Sequence, residues 1–192
     1  MNGTSDRFWE LLEPWYREGL MFCRRLAGDR DSGDDLYHDA LLLALRKFPS
    51  LRDPGAFRAW LYRTIIRTFA STVRRPWWKR RVTLTAEVMD QLIGEDPGDV
   101  LAARRWLVRA FAAVSPEEQA LVTLHELEQW SLAEIAALYG KSEGAIKLRL
   151  FRARKKMRQA LVMSVSRDVS PERRAKLMTG EMKCAAAKPG LE

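Results

Sequence analysis

Apolar residues along most of this 192-residue chain recur three and four positions apart, the spacing that lines one face of a helix. Phe57, Trp60, Leu61, Ile65, Phe69 and Val73 form one such stripe; Leu132, Ile135, Ala136 and Tyr139 form another, and Ile146 and Leu150 continue a third. Alternating runs bounded by turn residues, the mark of strands, are missing apart from the short Arg-Val-Thr-Leu-Thr at 81–85. The pattern predicts an all-α protein with helices near 5–28, 34–48, 54–75, 99–113, 116–128, 132–139 and 143–163. Start signals support these positions. Ser32 with Asp35, Ser115 with Glu118 and Ser131 with Glu134 each pair a capping residue with an acid three places on. Asp53-Pro54 pairs a cap with a proline suited to a first helical position.

The breaks in the pattern set the domains. Pro76, Gly94, Pro97 and Gly98 interrupt the middle of the chain. Two small helical domains are expected, at 1–80 and 99–163, joined by a flexible acidic linker at 81–98. Residues 164–192 form a C-terminal extension, expected to be partly disordered, with one further helix between Ser170-Pro171 and Gly180.

Charge sharpens this division. The net charge is +8, distributed as +6 over residues 1–81, −5 over 82–100, +5 over 101–163 and +2 over 164–192. Two basic blocks around a wholly acidic segment suggest two modules that face nucleic acid. At 47% hydrophobic and 30% charged residues the composition is that of a soluble globular protein. No apolar run approaches the roughly 20 residues needed to cross a bilayer, and acidic residues interrupt the N-terminus where a signal peptide would be apolar. A cytoplasmic protein without membrane insertion is expected. Cys23 and Cys184 are read as buried or incidental thiols, and with only His38 and His125 present no zinc-ligand spacing exists. No phosphate-binding glycine loop and no nucleophile with a nearby base is found, so neither an enzyme nor a cofactor is expected.

The segment from Trp130 to Met157 carries the most specific signal. One short helix ends at Gly140, which can take the positive φ of a helix terminus, and Ser142 caps the next. Such a pair makes a helix-turn-helix, whose second helix can enter a DNA major groove. That helix bears Lys147, Arg149, Arg152, Arg154, Lys155, Lys156 and Arg158. Glu143, Gly144 and Lys147 are placed to reach base edges and the later cations to reach phosphates.

The stretch Val114–Leu161 resembles region 4 of bacterial RNA polymerase sigma factors, in particular the compact extracytoplasmic-function group. Val114, Pro116, Leu124, Glu128, Ser131, Glu134, Ile135, Ala136, Gly140, Ser142, Gly144, Lys147, Arg149, Leu150, Arg152, Ala153 and Arg154 fit the family pattern in register. The resemblance implies recognition of the minus-thirty-five promoter element by Ser142, Glu143, Gly144, Lys147, Leu148, Arg149 and Arg152, with contact to the β flap of polymerase. Leu148 stands where the family usually has serine and Phe151 where it often has histidine. Leu148 either packs inward or touches a thymine methyl.

The first half is similar to region 2 of the same family. Asp35, Leu36, Asp39, Ala44, Phe57, Arg58, Trp60, Leu61, Tyr62 and Arg63 fit its text. By this resemblance Asp35, His38, Asp39 and Leu42 face the β′ clamp helices of core RNA polymerase. Ser50, Arg52, Arg58, Arg63 and Arg67 face the minus-ten element. Ile66-Arg67 and Ser71 depart from the usual residues there. The acidic linker would thread the basic cleft of polymerase, and Trp77-Trp78 would pack under the first domain or lie against polymerase. The expected function is promoter-specific initiation of transcription with core RNA polymerase and promoter DNA as partners, under an anti-sigma protein. A sigma mimic that titrates an anti-sigma, or a stand-alone helix-turn-helix regulator, are the alternatives.

Overall fold

The computed structural model describes residues 3–76, 78 and 99–168. All the regular structure among them is helical. The linker at 81–98, its Arg-Val-Thr-Leu-Thr run, Trp77, Cys184 and the helix expected after Ser170 lie outside the described residues.

The chain begins with α1 (Gly3–Leu12), a 3-10 turn at Glu13–Trp15, and α2 (Tyr16–Ala27). Periodicity alone predicts one continuous helix over 5–28; Pro14 lies in the turn that divides it, because proline lacks the N–H that a helix interior needs. α3 (Arg30–Lys47) starts four residues earlier than its sequence signal. Asp29, not Ser32, is the cap: its carboxylate accepts from the Ser32 backbone N–H at 2.8 Å and from the Ser32 hydroxyl at 2.6 Å. The earlier start lets Ser32 and Gly33 bury against α2. A Cβ on Gly33 would fall 2.4 Å from the Arg24 Cα, so only glycine permits this approach. Asp53 caps a 3-10 turn at Pro54–Ala56 through the Gly55 N–H, and α4 (Phe57–Val73) follows.

The expected stripe of α4 is core: Phe57, Leu61, Ile65 and Phe69 are buried, with Trp60 and Val73 half-buried beside them. Edge-to-face contacts join Phe8, Phe48 and Phe57, with ring centroids 5.4 to 6.2 Å apart. Trp78 is buried and meets Phe69 edge-on at 6.4 Å, as expected of a tryptophan packed under this domain.

The second half comprises α5 (Asp99–Ala112), α6 (Pro116–Glu126), α7 (Leu132–Tyr139) and α8 (Glu143–Asp168). Ser115 with Glu118 and Ser131 with Glu134 both form complete capping boxes. Leu121, Leu124, Ile135, Leu138, Ile146, Leu150 and Ala153 are buried together.

The two halves also pack on each other. Tyr62 of α4 and Trp130, just before α7, lie 4.7 Å apart ring to ring, and the buried residues of both halves form one continuous cluster. Trp130 is positioned by a tight turn. Gln129 takes a left-handed φ of 58° there, and the Trp130 N–H returns to the Leu124 carbonyl at 3.0 Å.

Candidate nucleic-acid and polymerase interfaces

α7 and α8 form the helix-turn-helix expected from sequence. Gly140 adopts φ 61° and its N–H reaches back to α7, while the Ser142 hydroxyl accepts from the Ala145 N–H at 3.3 Å. Ile146, Leu150 and Ala153 anchor α8 inward, and Ser142, Glu143, Gly144, Lys147, Leu148 and Arg152 are exposed along its outer side. Leu148 is 47% exposed, so of the two roles open to it the inward one is excluded. Arg149 is half-buried, its guanidinium 5.4 Å from the centre of the Tyr139 ring. Burial pushes the Tyr139 hydroxyl up to about 12, so it stays protonated and can donate to the Glu117 carbonyl at 3.4 Å.

The seven cations from Lys147 to Arg158 do not act alike, which corrects the assignment of all the later ones to phosphates. Arg154 pairs with Glu126 and Lys156 with Glu118 at 2.7 Å, so both fasten α8 to α6. Glu118 is thereby shared between its capping box and an ion pair. Burial pushes its carboxyl up, but the Lys156 ammonium and the Ser115 N–H outweigh this and hold it below its usual value. Lys147, Arg152, Lys155 and Arg158 remain exposed on the other sides of the helix.

On the first domain, Asp35, His38, Asp39 and Leu42 are all exposed along α3. The aspartate-rich start of this helix divides its work. Asp29 caps it, and Asp34 receives a two-pronged contact from Arg24 at 2.6 and 2.9 Å, which holds its carboxyl below the usual range. Asp31, Asp35 and Asp39 are exposed along the helix.

The five residues expected at the minus-ten element separate into two groups. Ser50, Arg52 and Arg67 are exposed, the Ser50 hydroxyl donating to the Lys47 carbonyl. Arg58, half-buried, and Arg63, itself exposed, grip the second domain. The Arg58 guanidinium lies 4.2 Å from the Trp130 ring centre and 4.8 Å from that of Trp15, and pairs with Glu134 at 3.3 Å and Glu18 at 3.8 Å. Arg63 donates twice to the Leu138 carbonyl near the end of α7, at 3.0 and 2.7 Å. Arg25 pairs with Glu128 at 2.5 Å, and the Gln119 amide donates to the Leu26 carbonyl at 2.9 Å. Sequence reasoning missed these partners because nothing local links residues so far apart in the chain, as Arg63 and Leu138 are at 75 positions.

Among the described residues no helix is long and apolar enough to cross a membrane. Among them also, no group of three or more histidines, cysteines or acids could hold a metal. Cys23 is buried and unpaired, and burial pushes its thiol far up, which suits a core residue.

Comparison with known proteins agrees with both halves of this geometry. The Sigma-70 region 2 family model matches residues 11–79 and the Sigma-70 region 4 model matches residues 104–157. The RNA polymerase sigma-E factor of Streptomyces coelicolor is 31% identical over 147 residues, covering 74% of this chain and 79% of its own. The sigma-E factor of Streptomyces avermitilis is 30% identical over 169 residues, covering 87% and 89%. The ECF RNA polymerase sigma factor SigG of Mycobacterium tuberculosis is 26% identical over 185 residues, and the chain spans half of its length. In fold the chain is similar to the sigma factor RpoE of Bartonella quintana, solved in complex with the anti-sigma factor NepR. The TM-score is 0.52 at 22% identity, covering 81% of this chain and 96% of that one. Two family regions in the right order, on a chain that aligns with most of the Streptomyces factors, show that it belongs to the extracytoplasmic-function group of RNA polymerase sigma factors.

Proposed function

We propose that this chain binds core RNA polymerase and directs promoter-specific initiation of transcription in the cytoplasm, without catalysis of its own. The observation that carries the reading is the simultaneous display of two unlike surfaces: the acidic side of α3 with Asp35, His38, Asp39 and Leu42, and the cationic outer side of α8. The first suits a basic partner protein, the β′ clamp helices. The second suits the phosphates and base edges of a minus-thirty-five element. Ser50, Arg52 and Arg67 would receive the minus-ten element, joined by Arg58 and Arg63 once α7 moves off them. An anti-sigma protein is the expected regulator, as NepR is the partner in the Bartonella complex.

Gel filtration with bacterial core polymerase at moderate salt tests the reading. Co-elution is expected, and Asp39→Arg should cut it at unchanged helicity. Separate elution of a folded chain would leave only the two lesser roles, mimic or stand-alone DNA binder.

A further inference from the structure

Two stripes of equal spacing run back to back along α8. Ile146, Leu150, Ala153 and Met157 face the core, the first three fully buried. Gly144, Leu148, Phe151 and Lys155 follow the same steps two residues out of phase, which at about 100° per residue sets them on the opposite side. All four are exposed. At the centre of this outer side stand two large apolar side chains, Leu148 at 47% and Phe151 at 63% exposure. Lys147, Arg152, Lys155 and Arg158 surround them.

Cations that meet only phosphates carry no sequence information, and a lysine or arginine at a base edge reads guanine rather than thymine. Neither Leu148 nor Phe151 can hydrogen-bond to a base edge. What the major groove offers an apolar side chain is the 5-methyl group of thymine. Gly144, one turn before Leu148, adds to this. A Cβ there would meet nothing within 4 Å, so packing within the chain does not demand glycine. Its bareness leaves the helix flat where it would come closest to another surface. The surrounding cations favour a polyanion over an apolar protein partner.

Given the proposed role of α8 at the upstream element, on which this rests, we infer that Leu148 and Phe151 are its sequence-reading residues and that they read thymine methyl groups. Specificity for thymine then comes from apolar contact, and the cations that meet phosphates set affinity and register.

The test uses the full chain with core polymerase. Selection from a randomised duplex pool yields the upstream element, and each thymidine in it is then replaced singly by deoxyuridine, which removes only the methyl. One or two positions should lose binding about fourfold each, the worth of one buried methyl-sized group. Leu148→Ala or Phe151→Ala should abolish that loss at its own position. Both side chains are exposed, so these variants should fold. Lys155→Ala should instead weaken thymine and uracil duplexes equally. Equal binding of both duplexes at every position, with an upstream element selected, overturns the inference and leaves the DNA-binding role of α8 standing. Failure to enrich any upstream element overturns that role as well.

Discussion

Replacing Arg58 by alanine should loosen the packing of the second domain on the first. The guanidinium lies in a box of three rings, Trp15, Tyr62 one turn along its own helix, and Trp130, at 4.8, 5.9 and 4.2 Å. Only part of this bears on domain packing. Trp15, Tyr62 and Glu18 belong to the first domain and stay with Arg58 when the domains separate. Trp130 and Glu134 move away with the second domain. A partly desolvated cation over an indole contributes about 1–2 kcal/mol, and an exposed ion pair such as that with Glu134 about 0.2–1 kcal/mol. Together they amount to about 1.2–3 kcal/mol, or roughly 8- to 160-fold in the balance of packed and separated forms. Small-angle X-ray scattering reads that balance, since separation raises the radius of gyration. Arg58→Ala should scatter as a larger particle than the wild type at equal helicity. Arg58→Lys should fall between, keeping the charge and losing the planar stack. Identical scattering from all three would show that Arg58 is not what fastens the domains, and the apolar contact of Tyr62 with Trp130 would then suffice alone.

Arg154→Ala and Lys156→Ala should each lower the melting temperature slightly, by about 0.2–1 kcal/mol of stability, and leave the salt dependence of promoter binding unchanged. Arg152→Ala or Lys155→Ala should reduce that salt slope by about one without altering melting. On acidification, three carboxyls among the described residues matter, the first being Asp34 beside Arg24. Glu134 is held below its ordinary 4.5 by the Ser131 N–H and hydroxyl and then by Arg58, and Glu118 by Lys156 and Ser115 against the effect of its burial. A carboxyl lowered in the fold stabilises it fully above the unfolded value, and that contribution disappears as pH falls through the lowered one. Thermal melts should therefore be flat above about pH 5 and decline below 4.5, less steeply in Glu118→Gln. Gly33→Ala should destabilise the first domain by about 1–3 kcal/mol through overpacking against Arg24, read as a lower midpoint in urea.

Local chemistry made much of this fold legible. The capping boxes at Ser115 and Ser131, the left-handed Gly140 and the apolar stripe of α4 each depend on residues within one or two turns. The start of α3 misled for a physical reason. Asp29 and Ser32 both head plausible caps, and the choice falls to Asp29 because the extra turn buries Ser32 and Gly33 against α2. The division among the α8 cations depends likewise on where α6 displays Glu118 and Glu126. The roles of Arg58 and Arg63 were the least legible, since their partners come from the other domain. Phe151 was visible in the sequence only as a departure from its family, and its exposure gives that departure a meaning.

The contact of Arg63 with the Leu138 carbonyl bears on how freely such domains can be exchanged. A helix ends with carbonyls that lack partners, and here the first domain supplies a donor to the end of α7, one residue before the helix boundary and two before Gly140. The turn that aims α8 is therefore finished by a side chain from elsewhere in the chain. Grafted onto a foreign first domain without an arginine at this place, the second domain would keep its sequence and its core yet lose one of the fixings of its turn. Two separate family models match the two domains, but in this chain they are not interchangeable parts.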